Sequence, residues 1–101
     1  MPVCLVTCCG SGPAVAVIKA LRLARLSGPL TVVGSDVNPM NVGRCLVDRF
    51  ERTPRADAPD FAQHMLDLCA RLRVDYVFPI LDLELEVWAK LRPAIAPLCT
   101  Q

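Results

Sequence analysis

Histidine, aromatic side chains and an excess of either charge are what this sequence has little of. One histidine, His64, stands alone, and no two cysteines show Cys-x-x-Cys spacing, so a metal site has poor support. Net charge is +1, with basic residues scattered among acidic ones. A nucleic-acid groove needs clustered Lys and Arg, and no nucleic-acid partner is expected. No apolar run reaches the roughly 18 residues that span a bilayer. Nor does the N-terminus join a basic region to an apolar stretch and a small-residue cleavage site. No membrane partner is expected, and the cytoplasm is the expected location.

Apolar content is plentiful. It reaches 53% of the 101 residues, with aromatics supplying only 5%. Ala, Val and Leu dominate, as layered α/β packing prefers, and the length suits one domain over 1–101. Six cysteines (Cys4, Cys8, Cys9, Cys45, Cys69 and Cys99) lie mainly in apolar surroundings. A disulfide scaffold would place them in polar, loop-rich sequence, so they read as free thiols acting as small hydrophobes. Cys8 and Cys9 adjoin an expected helix N-terminus, which would lower a thiol pKa and permit a reactive role.

Strand and helix signals alternate. Val3–Cys8 has the unbroken apolar character of a strand covered on both faces, and a helix follows from about 13 to 27. Its apolar face is read as Val15, Ile18, Leu21 and Leu26, and Ser27-Gly28-Pro29 ends it. A second strand over 30–35 leads to Asp36. Asn38-Pro39 then suggests an N-cap and first helical position for a short helix near 39–46. A polar third strand is expected around 49–53. Asp57-Ala58-Pro59-Asp60 starts a helix that buries Phe61, Met65, Leu68 and Leu72. The strand Tyr76–Ile80 ends near Pro79, because proline removes a ladder donor. A last helix is expected from about Leu83 to Leu91, before Pro93, with a short turn or helix through Leu98. The whole predicts an α/β, Rossmann-like three-layer sandwich: a parallel sheet in strand order 3-2-1-4 with helices on both faces.

In such sheets ligands bind above the C-terminal strand ends, near the first loop. Gly10, Gly12, Asp36 and Asp82 fall on that rim. Between strand and helix, Cys9-Gly10-Ser11-Gly12-Pro13 is expected to turn sharply at its glycines and present free N–H groups to an anion. The run from Gly10 matches the start of a dinucleotide fingerprint, and Asp36 sits where an acid would hold a ribose diol. Val15, however, replaces the third small residue. Asp82, Glu84 and Glu86 follow the fourth strand. They serve either as a cap and first-turn acids facing the helix dipole, or, through Asp82 or Glu84, as a counter-ion for a substrate ammonium group. Arg44 and Arg49 flank the second loop, where they are solvated or reach a phosphate or carboxylate. His64 reads as a solvated surface residue, and Trp88 with Leu85, Leu91 and Ile95 as core.

The segments Thr7–Pro13, Gly34-Ser35-Asp36-Val37-Asn38-Pro39, Gly43-Arg44, Asp48-Arg49-Phe50 and Phe78–Leu85, in this order, resemble the N-terminal (pre-ATP-grasp) domain of ATP-grasp enzymes. The nearest set is the carbamoyl-phosphate synthase large-subunit-like proteins, and the resemblance spans nearly the whole chain. It implies a domain on the substrate side of a ligase that phosphorylates a carboxylate and passes the acyl group to an amine. By that likeness Gly10, Ser11, Gly12, Asp82 and Glu84 are binding positions rather than catalytic ones. The family continues into ATP-binding lobes, so the chain is expected to be a fragment or excised piece of a longer ATP-grasp protein, or half of a split one. It is not expected to hydrolyse ATP alone. ATP and magnesium are expected for the full-length parent, with no cofactor in this domain. Expected partners are an ATP-grasp module and a small carboxylate or amine, with a homodimer left open. Two rival readings are a stand-alone nucleotide- or NAD-binding module and a docking subunit that binds no small molecule.

Overall fold

Four short strands carry the sheet, each long enough to reach across the core and no longer. The computed structural model describes residues 2–25, 28–41, 43–55, 57–80 and 82–95, and for 82–83 and 92–95 the backbone alone. Strands β1 (Val3–Val6), β2 (Thr31–Asp36), β3 (Arg49–Arg52) and β4 (Tyr76–Phe78) pair in parallel in the order β3-β2-β1-β4. Register sets Val6 beside Gly34 and Phe78, and Gly34 beside Phe50. The architecture is therefore the expected Rossmann-like one.

Alternation along each strand divides the core in two. Leu5 and Val33 face helices α2 (Phe61–Leu72) and α3 (Asp82–Ile95), where Met65, Leu68, Cys69, Val77 and Trp88 are also buried. Val6 and Val32 face helix α1 (Gly12–Ala24) and meet Ala14 and Ile18. This is why β1 reads as an unbroken apolar run: it covers two layers. Aspartates in the connections hold the strand starts. Asp75 accepts from the Val3 N–H at 2.8 Å, and Asp48 from that of Val32 at 2.7 Å.

Several boundaries differ from those expected. Helix α1 ends at Ala24, and Leu26 and Ser27 lie outside the described residues. Ile18 is buried and Leu21 packs against the same core, as expected, while Ala14 is buried in place of Val15, which is half-buried. The expected helix near 39–46 shrinks to one 3₁₀ turn, Gly43–Leu46. Asn38 does not cap it: its Oδ1 accepts from Met40 N at 2.9 Å in a local turn, while Asn41 Oδ1 accepts from Arg44 N at 2.8 Å and caps it instead. Helix α3 passes through Pro93 to Ile95 rather than stopping before it. Proline there removes one donor from the last turn, and the turn still forms. The turn expected through Leu98 lies outside the described residues. Leu85 is exposed rather than core, whereas Trp88 is buried and His64 half-buried.

The glycines of the first connection do not make its sharp turn. Every described glycine has negative φ, and Cys8 takes the left-handed conformation at φ 51°. The glycines serve contact instead. A Cβ on Gly43 would lie 1.7 Å from the Cys9 carbonyl oxygen, and one on Gly10 would lie 2.7 Å from Asn41 Cβ and 2.9 Å from Asp36 Oδ2. Gly12 has open space where its Cβ would point. Gly43→Ala is therefore expected to cost about 3 kcal/mol or more, or to prevent folding, because the obstacle is backbone. Gly12→Ala should stay within about 1 kcal/mol of the parent. Denaturant midpoints of the two variants decide; equal loss at both sites would contradict this division of roles.

Candidate functional site

Loop β1–α1 is closed by its own hydrogen bonds and by the connection leaving β2. Ser11 caps α1: its Oγ accepts from Ala14 N at 3.3 Å and donates to the Cys8 carbonyl at 2.9 Å. The Ser11 N–H also donates to Cys8 O at 2.9 Å, and the Cys9 N–H to Ser35 O at 2.9 Å. Asp36 takes the next amide, with Oδ2 accepting from Gly10 N at 3.0 Å and Oδ1 from Asn38 N at 3.3 Å. The Cys9 thiol points at Asn41 Oδ1, 3.5 Å away. Of the amides at 9–12, Gly12's alone has no partner among the described residues. The expectation of a row of free N–H groups is thus corrected: neighbouring polar groups satisfy them locally.

On the opposite face of the sheet the strand ends open into a depression of about 270 Å³, part of it open solvent. Thr7, Cys8, Ser35, Asp36, Thr53 and Glu84 supply its polar wall, and Val37, Pro54 and Phe61 its apolar one. Three hydroxyls stand there in a row for a simple reason. Thr7 and Ser35 lie two residues beyond Leu5 and Val33, which face α2 and α3, and so share that face. Thr53 lies two residues beyond Glu51, whose carboxylate meets Arg71 of α2 at 2.7 Å. Thr7 is tied to the end of β4, its Oγ1 accepting from Ile80 N at 3.1 Å.

Glu84 enters from the first turn of α3 and is 4% exposed. Its Oε1 accepts from Trp88 Nε1 at 3.1 Å, one helical turn on. Burial pushes its carboxyl above the ordinary glutamate value; hydrogen bonds from Trp88 and Thr7 oppose this, and the charge of Asp36 adds to it. The thiols move the same way. Cys8 is raised by burial and by the Glu84 and Asp36 charges, and Cys9 is pushed up to about 12, chiefly by burial. Both shifts run opposite to the lowering expected at a helix start: burial and the Asp36 charge act on both thiols, and the Glu84 charge on Cys8 as well.

Asp36 and Glu84 share this depression, whereas Gly10, Ser11 and Gly12 lie in the neighbouring turn and are not part of its wall. Asp82 begins α3, and its side chain lies outside the described residues. The expected arginines are elsewhere. Arg44 reaches Pro39 O at 3.1 Å and covers the Phe50 ring at 5.1 Å, and Arg49 pairs with Glu51 at 2.8 Å. Sequence reasoning missed Thr7, Ser35 and Thr53. The signal was present, since each of the first three strands runs out into a hydroxyl residue of the same parity.

An all-parallel four-strand sheet with its depression at the C-terminal edge defines a Rossmann-like binding domain. Residues 4–99 match the family described as PylC-like, N-terminal domain, and the chain belongs to that family, the pre-ATP-grasp N-terminal domain of ATP-grasp ligases. No curated protein matched the chain. Among the described residues no helix is long and apolar enough to cross a membrane.

The raised Glu84 carboxyl fixes a sign. A folded-state pKa above the unfolded one contributes stability that is present in acid and lost as pH rises through the folded value. Glu84→Gln keeps an acceptor for Trp88 and removes the buried charge. It should be more stable than the parent at neutral pH, with the gap closing toward acid; a gap that widens toward acid would contradict the assignment. In thiol labelling of the native chain, exposed Cys45 should react quickly, with Cys8 and Cys9 slow. Fast labelling at Cys9 would refute its inert environment.

Proposed function

We propose that this domain forms the substrate side of an ATP-dependent ligase that joins a carboxylate to an amine through an acyl phosphate, on the pattern of carbamoyl-phosphate synthase large-subunit-like proteins. The observation that carries the reading is the depression holding Asp36, Glu84 and the strand-end hydroxyls at the sheet edge. Family membership supplies the ATP-grasp context. The domain binds and orients; chemistry belongs to an ATP-grasp module, on the same polypeptide or a separate subunit. That module brings Mg-ATP, which activates the carboxylate. The residues here fit Mg-ATP poorly, for the depression carries no cationic side chain to meet phosphates. Among the described residues no three His, Cys, Asp or Glu gather to hold a metal.

The NAD-binding alternative has less support. Asp36, the ribose-diol candidate, already accepts from two backbone amides, and one of them belongs to Gly10 of the fingerprint itself. A docking role without small-molecule binding leaves the buried Glu84 at the pocket wall without a purpose.

The test pairs the chain with its ATP-grasp module and follows ADP release. The chain alone should release none; the pair should do so when given a carboxylate and an amine. Glu84→Ala in the pair should lower kcat/KM by about tenfold or more, as loss of a buried charged contact does. Tight NAD binding by the isolated chain in calorimetry would overturn the reading.

A further inference from the structure

We propose that the depression at the sheet edge is a receptor for a primary ammonium group, with Glu84 as counter-ion and the hydroxyls of Ser35 and Thr53 as neutral acceptors. The assignment rests on the substrate-side reading above and names the substrate class that this side receives.

Charge comes first. The lining has two carboxylates and no Lys, Arg or His, so an anion would be repelled and a cation drawn in. Ser35 and Thr53 are the independent sign of a ligand. They are 1% and 6% exposed, and both line the depression. Neither hydroxyl hydrogen-bonds to any described residue, although each backbone is paired: Ser35 O accepts from Cys9 N and Thr53 N donates to Asp36 O. Among the described residues Arg25 Nε alone is a buried side-chain polar atom without a partner, so these two hydroxyl oxygens are open to the depression, where a ligand donor can reach them. Thr7 is already engaged with the end of β4.

A primary ammonium has three N–H donors, which a carboxylate and two hydroxyls match in number. A quaternary ammonium has none. A divalent metal ion prefers more charged oxygens than this wall gives it. Val37, Pro54 and Phe61 form the apolar side along which the amine's carbon chain would lie.

Binding is linked to protons. Asp36 from β2 and Cys8 from the β1–α1 turn are the titratable groups facing Glu84 across the depression, and Trp88 and Thr7 hydrogen-bond to it. Burial and Asp36 favour its protonated form, and an arriving cation favours the ionised one. Affinity therefore rises with pH above the ordinary glutamate range, until the amine itself loses its proton.

Trp88 is the sole tryptophan, and its indole N–H touches Glu84, so its NMR resonance reports the site. In the full chain, propylammonium should shift that resonance saturably, more tightly at pH 7 than at pH 5, and propyltrimethylammonium should not. Ser35→Ala and Thr53→Val should each weaken propylammonium by about tenfold, and Thr53→Ser by less than about threefold. No shift with propylammonium, an equal shift with the trimethylated ion, or a response to propionate or magnesium ion alone would overturn the assignment. ADP release by the paired enzyme is read separately. Its absence with amine binding intact removes the ligase reading alone, and its presence without an amine response removes the ammonium assignment alone.

Discussion

The approach of the Cys9–Gly10 backbone to the connection leaving β2 is the constraint on which the rest of this domain depends. A side chain on Gly43 would occupy the Cys9 carbonyl, and Gly10 is closed in by Asn41 and Asp36. The two loops therefore lie against each other, and Asp36 and Asn41 supply the polar contacts between them. With the Cys9, Gly10 and Ser11 amides satisfied from within, the turn becomes a brace, and the open part of the sheet edge lies on the α2 and α3 side.

On that side the chemistry follows from strand parity. Three strands carry a hydroxyl residue near or just past their C-terminal ends on the α2 and α3 side, and the first turn of α3 carries an acid that its own tryptophan holds in place. Burying Glu84 beside Asp36 disfavours its charge, which is a cost to the folded state at neutral pH. Such a group costs least when a cation completes it. In the function proposed above, that cation is the amine which the domain holds for an ATP-grasp module.

Much of this was legible in the sequence and part was not. The both-sided strand β1, the order of the sheet and the rim positions of Asp36 and Glu84 follow from hydrophobic pattern and topology. What pattern could not supply was the meaning of each glycine. Gly10 and Gly43 are required by neighbours far along the chain, and the left-handed residue proved to be Cys8. Pairwise tertiary contact decided those positions, as it decided that Asn41 rather than Asn38 caps the 3₁₀ turn. Thr7, Ser35 and Thr53 were missed because a hydroxyl at a strand end is ordinary until its neighbours are aligned. The arginines misled for the opposite reason: Arg44 and Arg49 flank the rim in sequence, yet each is engaged by a nearby ring or carboxylate.

Residue-by-residue amide shift mapping of the chain during titration with propylammonium tests the central claim most directly. The account predicts that the largest changes fall at Thr7, Ser35, Thr53 and Glu84, with Gly10, Ser11 and Gly12 little affected. Changes centred on the glycine turn, with the strand-end hydroxyl residues silent, would contradict it.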